Sequence, residues 1–341
     1  MFFHAASLCR VVSRMTIRNV GRGFKTSLGI YGKAKPSHSA DFVESFKPTL
    51  GYVTSIAVTE QGRVVAAENK KFRDSIEVRH EISRVNVYDA ENGEVVGECE
   101  SVDTYIDDPS SPRLVYPTSY HDVAVFENGN IAVKCKLYPE ERDWAGCVGI
   151  FNPEGKFIKF LGERWVLNHG LAVNSKSQIL LGVWDEEETP YRVCVYSESG
   201  KLKREIADDR FGPQMSLAVN ANDDIVLADM DSGRLNIFDS DGKYLFDVKI
   251  RSHTGDKENQ SDSMDSLSVC CDAQGNIFCA DERSGKVHMI SVDGRSHNII
   301  VSERSHKKDA LVAPKAIAVY DGGILVAESG VSNLVKMFKY M

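Results

Sequence analysis

The stretch GPQMSLAVNANDDIVLADMDSGRLNIFDSDGKYLF, residues 212–246, decides the fold of this chain. It reads as an apolar run (MSLAV), a polar turn rich in Asn and Asp, a second run (IVLAD), a Gly turn, a third run (RLNIF) and an Asp-Gly turn into a fourth, more variable run. Residues that tolerate positive φ between β-rich runs signal tight hairpins. The segment is therefore one four-stranded antiparallel unit.

Outward from it the same opening phrase recurs as TSIAV at 54–58, HDVAV at 121–125, HGLAV at 169–173, DSLSV at 265–269 and KAIAV at 315–319. Its central small residues, Ala57, Ala124, Ala172, Ala218, Ser268 and Ala318, are separated by 67, 48, 46, 50 and 50 positions. Four short strands per unit at this period predict propeller blades rather than a solenoid. Six units predict an all-β, six-bladed β-propeller whose small residues let the inner strands converge round a channel. The last unit stops at Met341 after three strands, leaving an edge that needs a partner. FKTSLGIYG, residues 24–32, is the expected fourth strand, so the ring is closed by an N-terminal strand and the propeller spans 24–341.

A chain of 341 residues is compatible with a single propeller domain. No run approaches the roughly 18 apolar residues needed to span a bilayer as a helix. The net charge of −8 is uneven: residues 1–40 carry seven Lys and Arg and no acid, which leaves −15 for the remainder. An acidic body repels nucleic-acid backbones, so DNA is not an expected partner. Arg10, Arg14, Arg18 and Arg22 recur every four residues among apolar ones before Gly21 and Gly23, so residues 1–23 are a basic amphipathic or disordered leader. Its acid-free composition also fits a mitochondrial transit peptide. Eight cysteines without a C-x-x-C pair read as reduced, mostly buried thiols. The expected location is the cytoplasm, with mitochondria as the alternative.

The stretch quoted above and APKAIAVYDGGILVAESGVSNLVKMF at 313–338 resemble the NHL repeat. Both carry a Pro, a small-apolar strand start, a turn, an apolar run ending Ala-Asp or Ala-Glu, a small-residue turn, and then an apolar strand that a basic residue precedes at Arg234. The resemblance covers residues 24–341, is strongest in blades four to six, and implies the propellers of TRIM-type proteins, which recruit protein or RNA. No Cys/His array of a RING or B-box is present, so ligase chemistry is not implied. Blade one departs from the pattern through the insertion KKFRDSIEVRHEIS, and blade three through DEEETP.

In a propeller the connections into strand a and between strands b and c share one face. Lys70, Lys71, Arg73 and Arg79 of the blade-one insertion fall there as candidate binding residues, suited to RNA phosphates. Arg84, Arg192, Arg234 and Lys286 are the repeat's own basic residue, expected to pair with acids such as Asp229 or Asp281 between blades. Asp229, Asp281 and Glu328 themselves recur with the repeat rather than as a catalytic pair.

His121 and His169 share one register near the channel mouth, which Asp265 fills in blade five. The resemblance extends to the peptidyl-hydroxyglycine amidating lyases, which hold zinc with three histidines from different blades. Catalytic zinc takes three protein ligands and an open position. His121 and His169 are polar channel-lining residues and candidate binding residues, and with Asp265 they are metal-ligand candidates only under the alternative reading, a zinc- or calcium-dependent lyase or lactone hydrolase. The leading expectation is a non-catalytic propeller without cofactor that binds a protein, with single-stranded RNA second and no membrane contact.

Overall fold

The first hairpin turns of blades three to five close in one way. Between the first two strands of these blades, Asn174, Asn220 and Asp272 accept the backbone N–H groups two and four residues on, and the residue two before the returning strand has positive φ. Ser177 and Asp223 take that conformation without being glycine. Asp223 is held by the N–H and hydroxyl of Ser175 in the neighbouring blade's turn, at 3.0 and 2.8 Å.

A computed structural model describes residues 40–73, 79–100, 104–106, 113–138, 145–183, 191–212, 214–250, 267–302, 309–329 and 332–340. The leader at 1–23 and the segment 24–32 lie outside them. Strand β1 (Asp41–Phe46) precedes blade one, which holds β2 (Tyr52–Val58), β3 (Arg63–Arg73), β4 (Arg79–Asp89) and β5 (Val95–Glu98). A short β6 (Thr104–Ile106) then pairs with the start of β7 (Arg113–Val125). Blade two continues through β8 (Ile131–Tyr138), β9 (Ala145–Phe151) and the first part of β10 (Phe157–Val173). The end of β10 opens blade three, with β11 (Ile179–Val183), β12 (Arg192–Tyr196) and β13 (Leu202–Ala207), so one eight-stranded sheet contains two blades. Blade four is β14 (Met215–Val219), β15 (Ile225–Asp229), β16 (Arg234–Phe238) and β17 (Tyr244–Lys249). Blade five is β18 (Leu267–Cys271), β19 (Ile277–Asp281), β20 (Lys286–Ile290) and β21 (His297–Val301). Blade six is β22 (Pro314–Tyr320), β23 (Gly323–Glu328) and β24 (Val335–Lys339), completed by β1. The inner strands neighbour one another in order and β22 returns to β2, so six blades close a ring.

The closing strand is N-terminal, as expected, but it is Asp41–Phe46 rather than 24–32. It runs antiparallel to β24, pairing Phe42 with Phe338 and Phe46 with Val335. The two phenylalanines decide the register. Phe42 meets Phe338 edge-on at 5.7 Å, and Phe46 lies 5.2 Å from Tyr88 of blade one, which is wholly buried.

Blade five also corrects the expected register. Leu267 pairs with Asp281 and Cys270 with Phe278, as Met215 pairs with Asp229 and Ala218 with Val226 in blade four. The small inner-strand residue is therefore Cys270, not Ser268, and Leu267 rather than Asp265 takes the register of His121. The turn at 272–276 matches the turn at 220–224 in length and fixes this two-residue shift. Between blades, apolar layers of Val, Ile, Leu and Ala interlock. Cys99, Cys135, Cys147, Cys194 and Cys279 are buried thiols there, and Cys270 and Cys271 are partly buried.

A chain starting at Lys47 loses β1, which exposes the β24 edge and uncovers Phe338. It is expected to be at least about 3 kcal/mol less stable than one starting at Ala40. Equal urea midpoints for the two would contradict this closure.

Candidate functional site

The acid that ends strand b is buried, and its partners set the shape of the connection face. In blade one Glu68 is fully buried. It accepts hydrogen bonds from the Leu50 N–H at 2.8 Å, the Asn86 amide at 3.0 Å and the Tyr88 hydroxyl, with Thr49 Oγ1 at 3.5 Å. Burial, followed by this bond to Glu68, raises the Tyr88 phenol to about 12. In blade six Glu328 accepts from Val312 N–H at 2.7 Å, Ser332 Oγ at 2.7 Å and Lys336 Nζ at 2.9 Å. In both, a carboxylate at the end of strand b ties the connection entering strand a to a polar residue in the middle of strand c.

Blade four lacks these ties. Asp229 is one methylene shorter and turns back on its own loop, where Oδ1 accepts from the N–H groups of Asp231 and Ser232 at 3.0 and 3.3 Å. Met230 N–H bonds Gln214 O as Ser329 N–H bonds Ala313 O, and the residue before Gln214 in the sequence is Pro213, outside the described residues, which as a proline has no N–H to give. Asn236 stands where Asn86 and Lys336 stand, 3% exposed, and its amide has no hydrogen-bond partner among the described residues. A pocket of about 350 Å³ opens there. Asp209, Asp229, Asp231, Asp247, Arg210 and Arg234 bring charge to its lining, and the Ser232 hydroxyl there is buried without a partner.

The arginines of the repeat pair within their own blades, to strand d, rather than between blades to the strand b acids. Arg84 meets Glu98 at 3.5 Å, Arg192 meets Glu205 at 3.4 Å and Arg234 meets Asp247 at 2.7 Å. A residue on strand c lies directly beside strand d, which explains the preference. Arg210 pairs with Asp208 at 2.8 Å and lies 3.9 Å above the Tyr244 ring.

The inserted basic segment of blade one extends the hairpin: β3 and β4 stay paired out to Arg73 opposite Arg79, with Lys70 opposite Ile82 and Lys71 opposite Glu81. Lys70 is exposed. At the root, buried Asn69 donates to Tyr120 O of blade two at 2.8 Å and accepts from the Ser83 hydroxyl, which fixes the ribbon to the ring. The alternating pattern of KKFRDSIEVRHEIS carries this signal.

His121 and His169 lie on the inner strands of neighbouring blades, as expected. The next residues are joined, Gly170 N–H donating to Asp122 Oδ2 at 3.1 Å. His121 Nε2 is 2.9 Å from Ser119 Oγ. Asp265 lies outside the described residues. Among the described residues no three His, Cys, Asp or Glu side chains are grouped to hold a metal ion. Sequence reasoning missed Lys134, which stands where the other blades have Ala or Gly and pairs with Asp122 at 2.8 Å, its side chain 3% exposed.

Blade five fills the Asn236 position with buried His288. Its Nδ1 lies 2.9 Å from His297 Nε2, and its own Nε2 is unpartnered. Burial first, and then His297, lower His288 to about 4. The unfolded chain binds this proton near pH 6.5 and the folded chain only near 4, so this contribution is complete above pH 6.5 and lost as the pH falls. Wild type is expected to lose on the order of 2 kcal/mol through this group between pH 6.5 and 4.5. His288→Asn removes that loss. Urea denaturation at the two pH values checks it, and identical pH slopes for both proteins would contradict it.

The fold and its face define the chain as a six-bladed β-propeller. No protein-family model and no curated protein sequence matches it. Solved structures do. Streptogramin B lyase is similar with a TM-score of 0.51 and 12% identity, over 89% of this chain and 88% of the lyase chain. The PQQ-bound aldose sugar dehydrogenase of Streptomyces coelicolor gives 0.53 and 10%, over 89% and 98%. A chain of the nidogen/laminin complex gives 0.52 and 11%, over 78% and 84%. At these identities the likeness is one of fold.

Proposed function

We propose that this chain is a non-catalytic NHL-type propeller that binds a protein through the face carrying its b–c and d–a connections. The observation that carries this reading is the inequality of the two faces. On one, every described a–b and c–d turn is short and closed on itself. On the other, the β3–β4 ribbon projects out to Arg73 and Arg79, and β7 and β8 remain paired out to Tyr116 and Tyr138. Variable connections held on a rigid ring are where recognition is built. The ribbon's root is pinned by Asn69 while its basic residues stand farther out, which gives a preorganised element rather than a floppy loop.

Two further points support the reading. The sequence pattern of blades four and six resembles the NHL repeat, and a chain of similar fold occurs in the nidogen/laminin complex. The face carries both signs of charge, basic on blade one and acidic around the blade-four pocket, which suits a protein surface better than a uniformly anionic RNA strand.

Replacing residues 71–81 with an Asn-Gly turn should keep the fold, because Lys70 and Ile82 already face each other across the hairpin. The thermal midpoint is expected to stay within about 3 °C. Affinity capture followed by cross-linking is expected to recover a stoichiometric protein partner with the unaltered chain and to lose it with the shortened ribbon. Equal recovery by both chains would contradict this role for the ribbon.

A further inference from the structure

Resting on the protein-binding reading, we propose that the blade-four pocket receives a lysine or arginine side chain of the partner.

Blade four lacks ties that blades one and six make. In blades one and six the carboxylate ending strand b meets donors from the entering connection and from strand c. In blade four Asp229 is too short to reach across, Pro213 has no N–H to offer, and Asn236 stands without a partner. Asp229 is 7% exposed and Asn236 3% exposed, and no hydrogen bond from a described residue reaches Asp229 Oδ2. Asp229 Oδ2 and the Asn236 amide are not sealed off but open into a common space, where a polar group of an occupant can bond them. The space is about 350 Å³, near the lower end for ligand sites. It opens among the b–c and d–a connections, on the same face as the ribbon.

Charge selects the occupant. Arg234 is engaged by Asp247, and Arg210 by Asp208 and the Tyr244 ring, so neither lining cation compensates Asp229. Asp209, Asp229 and Asp231 remain without an opposite charge in any ion pair among the described residues. Burial, and then the neighbouring Asp229, hold the Asp231 carboxyl above its ordinary range, as expected of two acids without a cation between them. An ammonium or guanidinium group presents only donors. It can bond Asp229 Oδ2, the Asp231 carboxylate and Asn236 Oδ1 together, while a lysine or arginine stem lies along Phe211. The body of the chain, at −15, steers a basic segment toward it.

The test is fluorescence anisotropy of the whole chain with fluorescein-labelled Gly-Lys-Gly-Lys-Gly-Lys-Gly, its Arg counterpart and its Glu counterpart. The basic peptides are expected to bind and the Glu peptide not to bind. Asp231→Asn and Asn236→Leu are each expected to weaken binding about tenfold or more, one charge-assisted contact being lost in each. Asp293→Asn, on the opposite face in blade five, carries the same charge change and should alter affinity less than about twofold. Asn236→Leu should keep or raise the thermal midpoint, because it removes an unpartnered amide, whereas Asn86→Leu should lower it. The proposal is overturned if no basic peptide binds, if Asp293→Asn weakens binding as much as Asp231→Asn, or if Asn236→Leu destabilises as Asn86→Leu does. Spermidine binding more tightly than the Lys peptide at equal ammonium concentration would overturn the protein source. Partner capture by the ribbon is read separately, so its survival alongside any of these results would overturn the pocket assignment alone.

Discussion

Blades one and six, which meet where the ring closes, each depend on a buried carboxylate at the end of strand b. Glu68 lies where the linker from the closing strand enters blade one, and it gathers Leu50 N–H, Asn86, Tyr88 and Thr49 into one buried cluster. Glu328 does the same where the chain enters blade six. Among the described strands only β10 runs from one blade into the next. Fully satisfied polar clusters at these junctions, together with the apolar layers between blades, supply the angular register. Where the cluster is incomplete, the ring keeps its shape through the remaining blades and acquires a pocket.

Two departures from the repeat lie on one face and carry opposite charge. The ribbon of blade one is a hairpin continued beyond the ring, anchored by Asn69 to blade two. The pocket of blade four is a junction whose ties are missing. A partner engaging both would meet a basic projection and an acidic recess across the ring, a charge pattern that fixes orientation as well as contact.

Much of the fold was legible because turn chemistry and strand alternation repeat. Asn220 and Asp272 announced their hairpins, and the small inner residues announced the ring. Two features were not legible. DFVESF breaks alternation at Val43, where its pairing with β24 bulges, and only the packing of Phe42 on Phe338 and Phe46 on Tyr88 marks it as the closing strand. LSVCC and DSLSV overlap in pattern, and only the turn at 272–276 fixes which frame pairs with β19. The basic insertion was placed on the correct face but read as a loop, although its alternation continues the hairpin. The pocket left no local mark. It follows from a missing methylene, a missing N–H and an unpaired amide contributed by three separate segments, and a contact that fails to form is visible only in three dimensions.

Comparing Glu68→Gln with Asp229→Asn by urea denaturation at neutral pH tests this account most directly. Each change removes a charge and keeps the shape. Glu68→Gln turns an acceptor toward donors into a donor and is expected to cost about 2–3 kcal/mol. Asp229→Asn keeps the turn-capping oxygen, relieves an uncompensated buried charge, and is expected to stay within about 0.5 kcal/mol of wild type or to stabilise. Equal losses for the two substitutions would contradict the distinction between a tied junction and an open one.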